Sequence, residues 1–585
     1  MNNQELAKIF YETAKYLEMQ DVAFKPQAYE KAALTLETLP DDVKEVFQKG
    51  GQKALEELPG VGKSIAQKIV EYLKTKKVKE YEQLKKKMPV NIEELTRVEG
   101  IGPKMIRDLY KYLKIKNLND LERAAKDGKI KSLSRFGLKT EQNILQGIEF
   151  LKRERGRFLL GEILPVVKEV SQKLKSQKEV QEVNSAGSVR RMKETIGDVD
   201  FLVISEKPAK VMDYFCSLRG IIKVLAKGKT RSSVKMEQGF DMDIRVISKE
   251  SYGAALQYFT GSKEHNIVLR KIAIGRGLKL NEYGLFHGKK IVASKTEQEI
   301  YKALGLAWME PEIRENQGEI EAALRQAQGK LSLPKLIGFN ELLGDLHIHS
   351  NWAGGINSIE ELAQFAMKMG YQYIGIADHT KFLKIEHGLN EKELAKRSVE
   401  IKKLNQKFKN QGSGFKILSG CEANILADGS LDIDNAALAK LDFVIAGVHS
   451  QLKMPKQEMT ERIIKAMENP YVDIISHPTG RLIQKRDEYA IDFEKILKAA
   501  KRTNTVLEIN SYPMRLDLKD IYIKKAKTTG VKMIINSDTH QKEQMPFVEY
   551  GISQARRGWA EKKDIINAWP LDKLLNLLKG RKELK

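Results

Sequence analysis

Seven short apolar runs recur between residues 341 and 585, each separated from the next by a helix-like stretch: Leu346–His349, Tyr373–His379, Ile417–Glu422, Phe443–His449, Val472–His477, Val506–Asn510 and Met533–His540. Strand–helix alternation of this kind points to a (β/α) barrel. The runs also end alike. Six of the seven finish in His, Glu or Asp-x-His: His347 and His349, His379, Glu422, His449, His477, and Asp538 with His540. Seven of the nine histidines lie between 347 and 540, and six of those occupy these ends. Barrel strands converge at their C-terminal ends, so a ring of imidazoles and carboxylates there reads as a metal site. The pairs His347/His349 and Asp538/His540 are two residues apart, which puts both members on one face. A single histidine is more often a core residue; eight ligand-type residues in register are not explained that way.

A second constellation lies upstream. Gly187-Ser188 opens a stretch that closes on Asp198-Val199-Asp200, followed by the apolar run Phe201-Leu202-Val203-Ile204. In a strand, alternate side chains share a face, so Asp198 and Asp200 point the same way. Paired carboxylates repel unless a cation lies between them, and hard divalent ions such as Mg²⁺ take oxygen ligands. The later run Phe240–Ile247 offers a second strand, with Asp243 completing a three-carboxylate site. The backbone amides after Gly187, with Ser188, Arg190 and Arg191, supply donors for phosphates. Phosphates, two metals and three carboxylates together describe nucleotidyl transfer.

The first 150 residues read as mostly helical and contain two similar turns, Leu58–Ala66 and Val98–Ile106. Each has a Gly-apolar-Gly turn (Gly60/Gly62, Gly100/Gly102), then a basic residue (Lys63, Lys104), then a helix with apolar spacing. Glycines let such a turn approach a ligand closely, and the amides at the following helix start suit a phosphate. The turns look like helix-hairpin-helix motifs, which grip the DNA backbone without reading sequence. Arg135-Phe136-Gly137-Leu138-Lys139 is a weaker third turn. Charge agrees: Lys and Arg outnumber Asp and Glu by 101 to 78 over the 585 residues, a net +23, which favours a polyanionic partner. Cys216 and Cys421 imply no disulfide framework. The N-terminus has no signal-like apolar segment, and no apolar run approaches the roughly 18 residues of a membrane span. A cytoplasmic protein without membrane attachment is expected.

The Gly187–Asp200 segment with Asp243 closely resembles the palm of family X DNA polymerases, the family of DNA polymerase beta. The C-terminal half, through its ligand ring and the stretches Asp428–Asp432, His477–Arg481 and Ala555–Trp559, resembles the polymerase-and-histidinol-phosphatase (PHP) domain that bacterial family X polymerases carry. The expected class is therefore multidomain, α+β and α/β: a helical helix-hairpin-helix part, a nucleotidyltransferase palm and a (β/α) PHP barrel. The expected divisions are 1–82, lyase-like; 83–150, helix-hairpin-helix; 151–245, palm; 246–318, nucleotide selection; 319–340, linker; and 341–585, PHP.

The resemblance implies roles residue by residue. Asp198, Asp200 and Asp243 hold Mg²⁺ or Mn²⁺. Ser188, Arg191 and Arg157 contact the triphosphate. Tyr258, Phe259 and Gly261 sit at the incoming sugar, and Asn266 and Arg270 line the minor groove of the nascent pair. Lys263 departs from the acidic residue of DNA polymerase beta. Lys25 and Tyr29 fall at the binding positions of the lyase domain, and Lys68 at its Schiff-base nucleophile. A lysine acts so only when its pKa is depressed. In the PHP half the resemblance implies up to three Mn²⁺ or Zn²⁺ ions bridged by Glu422. Water activated there attacks a phosphodiester, with Arg481 and Arg515 as phosphate contacts. The partners implied are gapped or nicked duplex DNA and dNTPs, and the chain is expected to be a monomer. The function implied is gap filling in repair, with 3′–5′ exonuclease or abasic-site cleavage by the PHP half.

One position departs from the family. His349-Ser350-Asn351-Trp352-Ala353-Gly354-Gly355 has Gly354 where the family places an aspartate ligand of the third metal, and no carboxylate replaces it in that turn. A weak third site and slowed hydrolysis are expected. Three other readings stay open: a template-independent or RNA-directed nucleotidyltransferase, a small-molecule phosphatase, and an inactive C-terminal scaffold.

Overall fold

The computed structural model describes residues 2–39, 42–98, 100–133, 136–153, 156–330 and 333–583. Glu99 of the second hairpin and Arg135 of the third turn lie outside the described residues. The chain divides into two compact units, Met1–Arg155 with Gln484–Asp487, and Gly156–Ile483 with Glu488–Lys585.

The first unit is helical. Helices α1 (Lys63–Thr75) and α2 (Pro103–Leu113) follow the two Gly-apolar-Gly turns. Gly60 and Gly100 have φ of +71° and +81°, a left-handed backbone that a Cβ would strain. Gly62 and Gly102 are the helix N-caps, with no side chain capping either start. The apolar faces of these helices, including Ile65, Ile69 and Tyr72 on α1 and Ile106 and Leu109 on α2, are buried. They join a core that runs from Leu6 to Ile148, so the stretches 1–82 and 83–150 share one interior.

The second unit contains the palm sheet and the C-terminal barrel, besides a small three-stranded antiparallel sheet between Lys279 and Ala293 and a two-stranded pairing of Phe158–Leu159 with Thr195–Ile196. In the palm, β1 (Glu182–Ser185), β2 (Asp198–Ile204), β3 (Ile221–Lys227), β4 (Arg231–Met236) and β5 (Asp241–Ile247) form a sheet of order β1-β2-β5-β4-β3. β2 and β5 run parallel, with Asp198 opposite Asp241 and Asp200 opposite Asp243. The sheet shares a core with helix α3 (Leu160–Lys175) and with Ile483, Leu516 and Tyr550 of the C-terminal half. Gly161 on α3 makes that packing possible, since a Cβ there would lie 2.5 Å from Pro513 Cβ.

Beyond the palm come helices α4 (Tyr252–Thr260) and α5 (Lys263–Gly275). The stretch 319–340, expected as a linker around a Gln/Ala-rich helix, begins with helix α6 (Glu319–Ala327). Ile320 and Ala323, three apart and so on one face, pack into a core with Leu269, Tyr301 and Ile313. Glu319 is fully buried and contacts His265 Nδ1 at 2.7 Å. The flanking glycines suggested a spacer, but this apolar spacing docks the segment.

The C-terminal strands are β6 (Gly344–Ile348), β7 (Tyr373–Ile376), β8 (Lys416–Ser419), β9 (Glu422–Asn424), β10 (Ile445–Gly447), β11 (Ile474–Ile475), β12 (Val506–Asn510) and β13 (Met533–Asn536). Every ladder among them is parallel, in the orders β6-β7-β8 and β9-β10-β11-β12-β13. The bridges His379↔Glu422 and Ile348↔Thr539 link the two sets and close the barrel. The run Ile417–Glu422 is broken at Gly420-Cys421, so Glu422 begins β9 rather than ending β8. Among the described residues, no helix is long and apolar enough to cross a membrane.

Candidate functional site

In the palm, Asp198 and Asp200 sit two apart on β2, and Asp243 is the direct neighbour of Asp200 on β5. Burial and the charges of Asp198 and Asp243 push the Asp200 carboxyl up to about 6. Such a shift marks a site short of positive charge, which a divalent cation would supply. Arg231 Nη2 donates to Asp243 Oδ2 at 2.8 Å, a cation already drawn to this face. Gly187 starts a one-turn helix with φ +63°, and a Cβ on it would lie 3.4 Å from Asp200 Oδ2. The turn's backbone thus comes close to the carboxylates.

Beside them opens a cavity of about 630 Å³ lined by Arg157, Ser188, Arg191, Lys193 and Asp198 of the palm, with Lys519, Asp520 and Arg557 of the C-terminal half. Three expected triphosphate contacts therefore share one cavity. Arg157 Nε donates to Thr195 Oγ1 at 2.9 Å. Arg191 Nε donates to Glu315 Oε1 at 2.9 Å, and its Nη1 to the Thr260 carbonyl. Arg190, expected as a further phosphate donor, is used elsewhere: both its terminal nitrogens reach Glu297 at 2.8 Å and one also reaches Thr260 Oγ1 at 2.6 Å. Glu297 is buried between Arg190 and Arg314. Burial alone would raise its carboxyl, but the two guanidiniums bring it down to about 2.

Tyr258 and Phe259 end α4, with ring centroids 5.2 Å apart in an edge arrangement, and Arg245 lies 4.7 Å over the Phe259 ring. Gly261 has φ +70°, and a Cβ there would lie 3.1 Å from Arg191 Nη1. The Asn266 amide is engaged at both its nitrogen and its oxygen, donating to the Tyr258 carbonyl and accepting from Gln257 Nε2, both at 2.7 Å. Asn266 therefore fixes the Tyr258 backbone in this structure. Arg270 lies one turn further along α5, half-buried.

In the helical unit, a Cβ on Gly62, Gly100 or Gly102 would meet no heavy atom within 4 Å. The uncapped helix starts at Lys63 and at Pro103–Lys104 thus face open space, as a backbone-phosphate site requires. Lys25, Tyr29 and Lys68 converge on a residue the sequence reading passed over, Glu80. Lys68 Nζ lies 3.1 Å and Lys25 Nζ 3.8 Å from its carboxylate. The Tyr29 hydroxyl donates to it at 2.8 Å. Burial would raise the Glu80 carboxyl, and Tyr29, Lys68 and Lys25 together bring it below its ordinary value.

The C-terminal ring closes around Glu422. His379 Nδ1 lies 2.9 Å, His477 Nε2 3.0 Å, His449 Nε2 3.3 Å and His347 Nε2 3.4 Å from its two oxygens. Asp538 Oδ1 lies 3.4 Å from His349 Nε2, 3.6 Å from His347 Nε2 and 4.0 Å from His540 Nδ1. Three sets have their ligand atoms within 4.8 Å of one another: His349, His379 and His540; His347, His349 and Glu422; and His379, Glu422 and His449. The donor set fits divalent cations. His349 is fully buried, yet neither ring nitrogen has a hydrogen-bond partner among the described residues, a cost that a metal removes. Burial, His379 and His540 hold the His349 imidazole well below its usual range, in the neutral form a metal binds. Burial would raise Glu422, but His347, His449 and His379 hold it far down as a carboxylate.

The strand without an expected ligand, β12, orients the others. Glu508 Oε1 lies 2.7 Å from His347 Nδ1, and Glu508 Oε2 accepts from the His477 amide at 2.8 Å. Asn510 Nδ2 donates to Asp538 Oδ2 at 3.0 Å, and Asn424 Oδ1 lies 2.7 Å from His449 Nδ1. Carboxylate–histidine pairs of this kind set ring orientation and basicity at metal sites. The period-2 pair Glu508/Asn510 was the available signal. Arg515 Nε lies 3.6 Å from Asp538 Oδ2, beside the cluster. Arg481 does not join it: it is buried, donating to Glu194 of the palm at 2.7 Å and to the Leu516 carbonyl. Its sequence position beside the His477 loop gave no hint that the palm would cover it.

Family models match four stretches: a helix-hairpin-helix domain over residues 1–78, a SAM-like helix-hairpin-helix tandem over 92–149, the DNA polymerase beta thumb over 255–315 and the PHP domain over 345–512. Among curated proteins, the DNA polymerase/3'-5' exonuclease PolX of Bacillus subtilis (strain 168) is 36% identical over 584 residues, covering 99% of this chain and 100% of that protein. Probable phosphatases of Thermoanaerobacter sp. (strain X514) and Caldanaerobacter subterraneus subsp. tengcongensis are 35% and 33% identical, each over 34% of this chain and over 80% and 76% of their own lengths. Paired hairpins, a polymerase beta thumb, the ligand ring of a PHP barrel and end-to-end similarity to PolX agree: the chain belongs to the family X DNA polymerases that carry a C-terminal PHP domain.

Proposed function

We propose that this enzyme is a DNA-directed DNA polymerase that fills short gaps in duplex DNA during repair, acting as a monomer on gapped or nicked DNA and dNTPs. The observation that carries the reading is the register of β2 and β5, which sets Asp243 beside Asp200 next to the cavity holding Arg157, Ser188 and Arg191. Mg²⁺ or Mn²⁺ at the three aspartates supplies charge stabilisation and lowers the pKa of the attacking hydroxyl. Ser188, Arg191 and Arg157 hold the triphosphate in line. Tyr258, Phe259 and Gly261 bound the sugar position, and Arg270, on the helix whose Asn266 fixes the Tyr258 backbone, checks the nascent pair. The turns at Gly60–Lys63 and Gly100–Lys104 grip the duplex backbone through their amides, with no reading of sequence. Lys68 is the candidate lyase nucleophile, with Lys25 and Tyr29 as DNA contacts. Sodium borohydride trapping on a 5′-incised abasic site, lost in Lys68→Ala, tests that role.

The PHP half acts as a 3′–5′ exonuclease or abasic-site endonuclease. Mn²⁺ or Zn²⁺ held by His347, His349, His379, Glu422, His449, His477, Asp538 and His540 provides Lewis acidity and an activated water. Arg515 faces the phosphodiester. The likeness to probable phosphatases supports a second reading, hydrolysis of small phosphomonoesters.

The test uses a 5′-labelled primer on a one-nucleotide gap with Mn²⁺, with and without dNTPs. Extension by one nucleotide that is abolished in Asp243→Ala, with DNA binding kept, is the expected result. Normal extension by Asp243→Ala overturns the palm assignment. Shortening without dNTPs identifies the exonuclease, whereas release of phosphate from a small monoester without shortening favours the phosphatase reading.

A further inference from the structure

The C-terminal cluster lacks one carboxylate, and the fold brings another to the same place. Gly354 lies in the loop after β6 with φ +85°, and that loop is held at the barrel mouth by the Ile356 amide, which donates to the His540 carbonyl at 2.9 Å. A Cβ built on Gly354 would lie 3.2 Å from His379 Cδ2 and 3.5 Å from His540 Cδ2. A side chain there would therefore point at the set His349, His379 and His540, whose ligand atoms lie within 4.8 Å of one another. The third neighbour of that empty Cβ position is Glu386 Oε2, at 3.6 Å. Glu386 ends the short turn Lys384–Glu386 in the loop that follows His379. Its carboxylate is half-buried and makes no hydrogen bond or ion pair among the described residues.

We propose that Glu386 is the carboxylate ligand of the third metal position, entering from the loop after β7 into the space that Gly354 leaves open. The inference rests on the metal reading of the PHP half and adds a ligand to it. Glutamate is one methylene longer than aspartate, so it reaches the three imidazoles from a more distant backbone. Three neutral imidazoles contribute no charge to a divalent cation, and a carboxylate oxygen supplies it while completing a four-ligand set. The buried nitrogens of His349, which have no hydrogen-bond partner among the described residues, are the independent sign that this set awaits a ligand. Gly354 and Glu386 thus form one device: the glycine removes the side chain that would occupy the space, and the glutamate fills it.

The test is elemental analysis of the full chain after loading with Mn²⁺ and removal of free metal, with thermal unfolding as a second readout. The wild-type chain is expected to retain three ions, Glu386→Gln two, and the Gly354→Asp/Glu386→Gln double variant three again. Aspartate tolerates a left-handed backbone better than most residues, and Glu386→Gln alone decides the matter if the double variant fails to fold. Equal metal content in the wild type and Glu386→Gln overturns this assignment while leaving the Glu422-centred positions intact. A wild-type chain that retains only two ions does the same. A chain that retains none overturns the metal reading of the whole PHP half, and this ligand with it.

Discussion

Arg191 and Arg557 meet on one oxygen: Arg191 Nε lies 2.9 Å and Arg557 Nη1 3.0 Å from Glu315 Oε1. Arg557 Nη1 also donates to the Arg191 carbonyl at 2.9 Å. A residue of the PHP half therefore holds the arginine proposed to bind triphosphate, and all three side chains are largely buried. When Arg191 turns to phosphate, Arg557 stays on Glu315 Oε1, with Lys193 Nζ 3.7 Å from the other oxygen. Arg557→Leu is expected to raise the KM for dNTPs about tenfold, the equivalent of about 1.4 kcal/mol, with kcat within about twofold. Single-nucleotide insertion kinetics on gapped DNA measure both, and an unchanged KM would remove Arg557 from nucleotide binding.

The Asp200 carboxyl, pushed up to about 6 by burial and by Asp198 and Asp243, ties metal binding to pH. Below pH 6 a cation must displace a proton, so its apparent Kd should rise about tenfold per pH unit as pH falls. Above pH 7 the dependence should flatten. In the metal-free chain the same shift has the opposite sign: stability is lost as pH rises from the unfolded value through about 6. Mn²⁺ titrations of extension rate between pH 5 and 8 check the first effect.

Glu297 is the reverse case. Its folded carboxyl titrates at about 2, held there against burial by Arg314 and Arg190. It therefore stabilises the fold fully above the unfolded carboxyl range, and that contribution is lost as pH falls toward 2. Glu297→Gln should cost about 3 kcal/mol at pH 7, since it leaves the fully buried Arg314 without its counter-charge. The cost should shrink in acid. Thermal unfolding at pH 7 and pH 3 reads the difference.

Gly447 ends β10 where a Cβ would lie 2.5 Å from Ser476 Oγ, 2.8 Å from His449 Cε1 and 2.9 Å from Glu422 Oε1. Gly447→Ala should push these groups apart, lowering metal content and exonuclease rate by at least about tenfold. Primer extension should stay within about twofold, because no palm residue is touched. Equal loss of both activities would instead indicate global unfolding.

Local pattern alone carried much of this protein. Period-2 spacing put Asp198 and Asp200 on one face, and His347 with His349 at a strand end, because strand geometry is set by nearest neighbours along the chain. The left-handed turns at Gly60 and Gly100 were legible for the same reason. The eight metal-type residues at the ends of apolar runs marked the barrel mouth through local pattern alone. What depended on distant pairing was not legible. Glu80 is drawn to Lys68 across a turn between helices, Glu508 behind His347 across the barrel, and Arg481 is covered by the palm residue Glu194. Helix α6 looked like a spacer because its apolar face has meaning only against the core it joins. The loss of an aspartate at Gly354 read as a missing ligand, because sequence counts side chains at fixed offsets. Only the folded loop after β7 brings Glu386 to that space, since long-range approach is decided by how strands and loops close around a shared centre rather than by spacing along the chain.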